Sequence, residues 1–85
     1  MVEKQVTVQL KPGLQARPAA LFVQTANSFL SEVFLEYEGR KINAKSIMGI
    51  MSLAIGSGKS VTIYAEGSDE ERAVEELSRF LEKEE

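Results

Sequence analysis

The sequence predicts an α+β domain: an open-faced two-layer sandwich, with one sheet carrying its helices on one face. Three observations lead there. Four short segments alternate apolar and polar residues, the period of a half-buried strand. Three other segments place apolar residues at or near helical spacing. These segments interleave as β-α-β-β-α-β-α, with no linker, low-complexity tract or repeat between them. Eighty-five residues make one domain spanning 1–85, and a chain of this size buries only a little over ~60% of its unfolded surface.

The first strand is read from Val6, Val8 and Leu10, which alternate with Thr7 and Gln9. Pro12-Gly13 stops it and turns the chain. A helix follows from about Ala16 to Asn27, with Ala20, Leu21, Val23 and Ala26 as its apolar face. Pro18 is tolerated because the first turn has no internal partner for its N–H. Phe29 and Leu30 are expected to pack where this helix ends. Val33, Leu35 and Tyr37 alternate with Glu32, Phe34 and Glu36 as a second strand. Glu38-Gly39 is a hairpin-type turn into a short third strand around Lys41 to Asn43. Ile47, Met48, Ile50, Met51 and Leu53 indicate a short helix. Gly56 to Gly58 form a loop, and Val61, Ile63 and Ala65 mark a fourth strand. Ser68-Asp69-Glu70-Glu71 reads as a capping box opening a last helix that turns Val74, Leu77, Phe80 and Leu81 inward. The glutamates at the very end of the chain suit the helix dipole poorly, so fraying is expected there. Clean alternation in the strands means that one sheet face is covered and the other meets water.

Composition narrows the function. The net charge is −3 and the basic residues are scattered. Nucleic acid and anionic membranes are disfavoured as partners, because both need clustered Lys and Arg. No segment has the length of a membrane span or the apolar core of a signal peptide, so a cytoplasmic protein is expected. There is no cysteine and no histidine. Thiolate chemistry, the usual general base and the commonest metal ligand are therefore absent. Gly56-Ser57-Gly58-Lys59-Ser60 lacks the spacing of a nucleotide loop and precedes a strand, so it is a turn. Glu70, Glu71, Glu75 and Glu76 read as a solvated helix face with no convergent pocket for a metal. No cofactor is implied.

Two segments carry a family resemblance. Gly13-Leu14-Gln15-Ala16-Arg17-Pro18-Ala19-Ala20 is similar to the active-site motif of HPr, the phosphocarrier of the bacterial sugar phosphotransferase system. Asn43-Ala44-Lys45-Ser46-Ile47-Met48-Gly49-Ile50-Met51-Ser52-Leu53 resembles the regulatory-serine motif of HPr proteins from Gram-positive bacteria. The resemblance spans essentially the whole chain and implies an antiparallel sheet in the order β1-β4-β2-β3, an order that periodicity alone leaves open.

The carrier's motif has a histidine ahead of Ala-Arg-Pro, and here that position is Gln15. An imidazole nitrogen can take up and return a phosphoryl group. A glutamine amide nitrogen, its lone pair delocalised into the carbonyl, cannot. The resemblance therefore implies a regulatory, non-enzymatic HPr-like protein of carbon catabolite repression. Ser46, at the expected N-cap of the short helix, would be phosphorylated by HPr kinase/phosphorylase. The modified chain would then bind the repressor protein CcpA as corepressor. A phosphate there would meet the free N–H groups of a helix start and add about −1.5 to −2 charges.

Ile47, Met48 and Met51 are candidates for an exposed contact patch, since this helix is apolar almost all round; in that arrangement Ile50 and Leu53 point inward. Arg17 would pair with a partner's carboxylate or reach toward phosphate, and Gln15 would add a neutral hydrogen bond. Ala16, Ala20 and Phe22 would supply apolar contact, although Ala20 could equally be core. Lys45 reads as an ordinary surface lysine, with aid to the kinase or screening of the phosphate as the alternatives. A phosphorylation-independent adaptor or inhibitor of a metabolic enzyme is the alternative function. The chain is read as a monomer or weak homodimer, and a first strand hinged at Pro12-Gly13 could exchange between copies.

Overall fold

A computed structural model of the chain describes residues 1–11 and 13–83. Pro12, and with it half of the expected turn, lies outside them, as do the terminal Glu84 and Glu85 where fraying is expected. The elements run β1 (Val2–Thr7), α1 (Ala16–Asn27), β2 (Glu32–Tyr37), β3 (Arg40–Asn43), α2 (Ile47–Ser52), β4 (Ser60–Glu66) and α3 (Glu70–Leu81). The four strands form one antiparallel sheet in the order β1-β4-β2-β3. Apolar residues facing one way from it, among them Val6, Val33, Leu35, Val61, Ile63 and Ala65, are buried. This is the open-faced sandwich expected from the alternation. No helix among the described residues is long and apolar enough to cross a membrane.

Local chemistry explains the joints. Glu38 and Gly39 both have positive φ, +52° and +82°, and they connect the paired residues Tyr37 and Arg40. A two-residue turn of this type matches the twist of paired strands. Gly13 has φ +93°, and a Cβ on it would lie 2.6 Å from the Ile55 carbonyl oxygen. Leu14 pairs with Ile55 at that point, its N–H donating to the Ile55 carbonyl at 2.9 Å, which sets the entry to α1. β1 lies earlier than the alternation of Val6, Val8 and Leu10 predicts: Val8 and Leu10 are past its end, though both are buried and Val8 still exchanges backbone bonds with the Gly58-Lys59 loop.

Three expectations for α1 and the residues that follow it need correction. The buried face of α1 is Ala19, Phe22, Val23 and Ala26, while Ala20 and Leu21 are exposed. Positions 19, 22, 23 and 26 form the i, i+3, i+4, i+7 stripe that can lie flat on a sheet, and 20 and 21 fall off it. Phe22 is fully buried and meets Phe80 with ring centroids 5.9 Å apart. It belongs to the core and cannot supply surface contact. Leu30 does not pack at the end of α1: it is 84% exposed, whereas Phe29 is buried.

The start of α3 is also built differently from a Ser68 capping box. Asp69 is the N-cap and makes no side-chain cap bond. Its carboxylate instead accepts the N–H groups of Leu30 and Ser31, both at 2.9 Å, and the buried Ser31 hydroxyl. Glu70 reaches back to the Gly67 N–H at 3.1 Å. Donors on the α1–β2 loop would otherwise lack a protein partner, and that tertiary demand outcompetes the local cap.

Candidate functional site: the starts of α1 and α2

Ser46 is the N-cap of α2, as the motif predicts. Its backbone is extended (φ −106°, ψ 113°), and its Oγ accepts the Gly49 N–H at 3.1 Å. Its carbonyl takes the first helical bond, from the Ile50 N–H at 3.0 Å. Gly49 leaves space beside the hydroxyl: a Cβ there would sit 3.4 Å from Ser46 Oγ and 3.2 Å from Ile42 Cδ1. Ser46 itself is half-buried, so the hydroxyl is held but still reachable.

Of the four large apolar residues in α2, only Ile50 is fully buried. Ile50 and, just past the helix, Leu53 turn inward. Ile47, Met48 and Met51 remain 37%, 78% and 48% exposed. One side of a short helix can rest on the core, so an almost wholly apolar helix must leave the other side in solvent.

The first motif opens α1. Gln15 occupies the N-cap position with extended backbone and no side-chain cap bond. Ala16 follows with φ +53°, a left-handed conformation that costs an L-residue about 1–2 kcal/mol. No acidic side chain lies in the first turn of α1. Gln15, Ala16, Arg17 and Ala20 are all exposed, which decides Ala20 as surface. Arg17 also lines a groove of about 210 Å³ between α1 and α3, with Leu10, Pro18, Leu21, Phe80 and Lys83. The two motifs stand on neighbouring elements, because α1 packs against α2.

A set of bonds between these helices is not evident from the sequence. The Lys45 ammonium donates to the Phe29 carbonyl at 2.8 Å, and the Lys45 N–H donates to Asn43 Oδ1 at 2.8 Å. Asn27 donates to the Val23 carbonyl at 2.9 Å and reaches the Lys45 carbonyl at 3.4 Å. The only hint in the sequence is Asn43 two residues before Lys45, a spacing suited to an Asx turn.

Away from these helices, the open sheet face holds one other polar cluster. Lys41 lies over the Tyr64 ring at 4.1 Å and the Phe34 ring at 5.3 Å, and the Tyr64 hydroxyl donates to Glu36. That bond, helped by desolvation and by the negative charges of Glu36 and Glu3, pushes the Tyr64 pKa up to about 12. No group of three or more acidic side chains among the described residues is arranged to hold a metal ion.

Comparison with known proteins agrees with this architecture. The model of the PTS HPr component phosphorylation site family matches residues 2–83. The chain is 68% identical over 84 residues to the HPr-like protein Crh of Halalkalibacterium halodurans, covering 99% of this chain and all of that one. It is 60% identical over 84 residues to the HPr-like protein Crh of Bacillus subtilis, with 99% of each covered. A crystal structure of that Bacillus subtilis protein, described as a dimer with a swapped domain, aligns with a TM-score of 0.78 over 99% of this chain and 97% of that one. The phosphocarrier protein HPr from Bacillus anthracis aligns with a TM-score of 0.94 at 60% identity, covering 95% of this chain and 96% of that one. With its sheet order, its two motifs and a family match along almost its entire length, the chain belongs to the HPr family.

Proposed function

We propose that this chain is a regulatory HPr-like phosphoprotein of carbon catabolite repression, acting in the cytoplasm and catalysing no reaction itself. HPr kinase/phosphorylase phosphorylates Ser46, and the modified chain binds CcpA as corepressor. The reading is carried by one observation: the Ser46 hydroxyl stands at the start of a helix whose exposed side is the apolar patch of Ile47, Met48 and Met51. A phosphate at Ser46 sets about −1.5 to −2 charges against that patch, so a partner can read charge and apolar shape together.

Arg17 and Gln15 extend the contact from α1, with Ala16 and Ala20 as small apolar neighbours. Gln15 stands where the carrier's motif has histidine, and the chain contains no histidine at all. Phosphoryl relay to sugars therefore lacks its nucleophile, and the protein receives a signal without passing on the group. It makes no direct contact with nucleic acid, in keeping with its charge of −3. The swapped dimer described for the Bacillus subtilis relative supports a homodimer for this chain as well.

Incubation with ATP and HPr kinase/phosphorylase, followed by mass spectrometry, should place one phosphate on Ser46. Titration against CcpA should then show binding of the phosphorylated form well above that of the unmodified form. Met48→Lys should weaken binding roughly tenfold without unfolding the chain, since Met48 is the most exposed member of the patch. Equal affinity of CcpA for both forms would defeat the corepressor reading. A metabolic enzyme bound equally by wild type and Ser46→Ala would favour the phosphorylation-independent adaptor instead.

A further inference from the structure

Lys45 directly precedes Ser46, yet its charge is committed elsewhere. Its ammonium sits on the Phe29 carbonyl at 2.8 Å. Helix α1 has no basic residue in its own last turn. Lys45 thus brings, from another element, the positive charge that a helix C-terminal end favours. Its N–H is held by Asn43 Oδ1, and its carbonyl is approached by Asn27 from the last turn of α1. The residue before the cap is tied at three points: side chain, N–H and carbonyl. Ser46 follows with its Oγ on the Gly49 N–H and its N–H on the Asn43 carbonyl at 3.1 Å.

Geometry of this kind matters for phosphoryl transfer. Ser46 Oγ must form a bond to the γ-phosphorus of ATP as the bond to the bridging oxygen of the departing ADP breaks, while the hydroxyl proton leaves to a base of the kinase. Misplacing a reacting atom by ~1 Å can cost on the order of 100-fold in rate.

We propose that Lys45 is the positioning residue of the Ser46 site: its three bonds hold the Asn43–Ser46 turn against the end of α1 and present the serine hydroxyl in one fixed direction. The proposal rests on the reading of Ser46 as the modified residue. It gives Lys45 a role through the serine, not through contact with the kinase.

Three variants of the full chain separate these roles. Lys45→Met removes the ammonium and keeps most of the stem. Asn27→Ala removes one tether without changing charge. Lys45→Arg keeps a donor for the Phe29 carbonyl. With HPr kinase/phosphorylase and ATP, Lys45→Met should lower kcat about tenfold and leave the KM for the protein within about twofold. Asn27→Ala should lower kcat in the same sense by a smaller factor, and Lys45→Arg should retain most of the wild-type kcat. In the unmodified chains, hydrogen exchange at the Gly49 and Ile50 amides should rise at least about threefold in Lys45→Met, with the amides of α3 unchanged. A raised KM at unchanged kcat would place Lys45 in contact with the kinase and overturn the proposal, as would unchanged amide exchange. If the kinase leaves even the wild type unmodified, the reading of Ser46 falls separately, and the exchange comparison still decides whether Lys45 holds the turn.

Discussion

A single hydroxyl carries both a structural bond and the proposed modification in this chain. Ser46 Oγ closes the first turn of α2 by accepting the Gly49 N–H, and the same oxygen is the proposed phosphate acceptor. Removing it should therefore be felt in the unmodified protein. Ser46→Ala should lose about 1 kcal/mol of stability in urea denaturation. Ser46→Asp, which keeps an acceptor at the cap, should lose much less. Tyr64 gives a second residue-scale prediction. Its pKa stands at about 12 because the hydroxyl donates to Glu36, so the folded state holds this proton more tightly than the unfolded chain, where the pKa is about 10. The stability from this group is complete below about pH 10 and is lost as pH rises through about 12. Tyr64→Phe should flatten that alkaline limb, and ultraviolet titration of the phenol should follow the shift.

At the scale of elements, the joints decide where functional side chains point. Leu53 is the C-cap of α2, and the next residue, Ala54, takes φ +50°. That conformation at a helix end is the usual place for glycine. Ala54 is exposed, so removing its Cβ sacrifices no packing. Ala54→Gly should stabilise the chain by up to about 1 kcal/mol, read as a higher urea midpoint at unchanged m-value. Ala16 has the same strain at the start of α1 but lies within the proposed contact surface. Relief of strain there would be mixed with changes in binding, which makes Ala54 the cleaner test. The apolar patch follows from the same logic: six residues make under two turns, enough to anchor Ile50 and leave Met48 and Met51 facing solvent.

At the scale of the whole molecule, Asp69 joins the loop after α1 to the start of α3, far apart in sequence. The Ser31 hydroxyl and the N–H groups of Leu30 and Ser31 hold its carboxyl below the ordinary carboxylate range. A lowered folded pKa contributes stability above the unfolded value of about 3.9, and this is lost as pH falls through the folded value. Acid unfolding of the wild type should therefore be steeper than that of Asp69→Asn, which keeps one carbonyl acceptor but cannot titrate. Close approach reinforces the lock: a Cβ on Gly67 would lie 2.6 Å from Ser31 Cα. The side chains that tie the α1–β2 loop to the start of α3 are thus distinct from those of the proposed contact surface.

Much of this molecule is legible in the order of its residues. Strand alternation names the sheet, helical spacing names three helices, and two motifs name Ser46 and the Gln15-Ala16-Arg17 segment. These signals are local, because period two and period 3.6 are written in neighbouring residues. What stays hidden is set by contacts between distant parts of the chain. Ala20 and Leu21 were expected on the inner face of α1, but the sheet takes the stripe of Ala19, Phe22, Val23 and Ala26, because a helix with apolar residues on several sides has its phase settled by what it lies on. Residues 68–71 have the pattern of a capping box, but Asp69 serves a loop nearly forty residues earlier. Apart from Asn43 two residues before it, nothing in the local sequence distinguishes Lys45 from a surface lysine, and Phe29 meets its ammonium only in the folded chain. The elements, the lack of an imidazole and the place of the serine thus follow from residue order alone. Which side chains are buried and which polar groups meet was left to the packing of the whole fold, because a hydrogen bond depends on distance in space and the chain records only distance along itself.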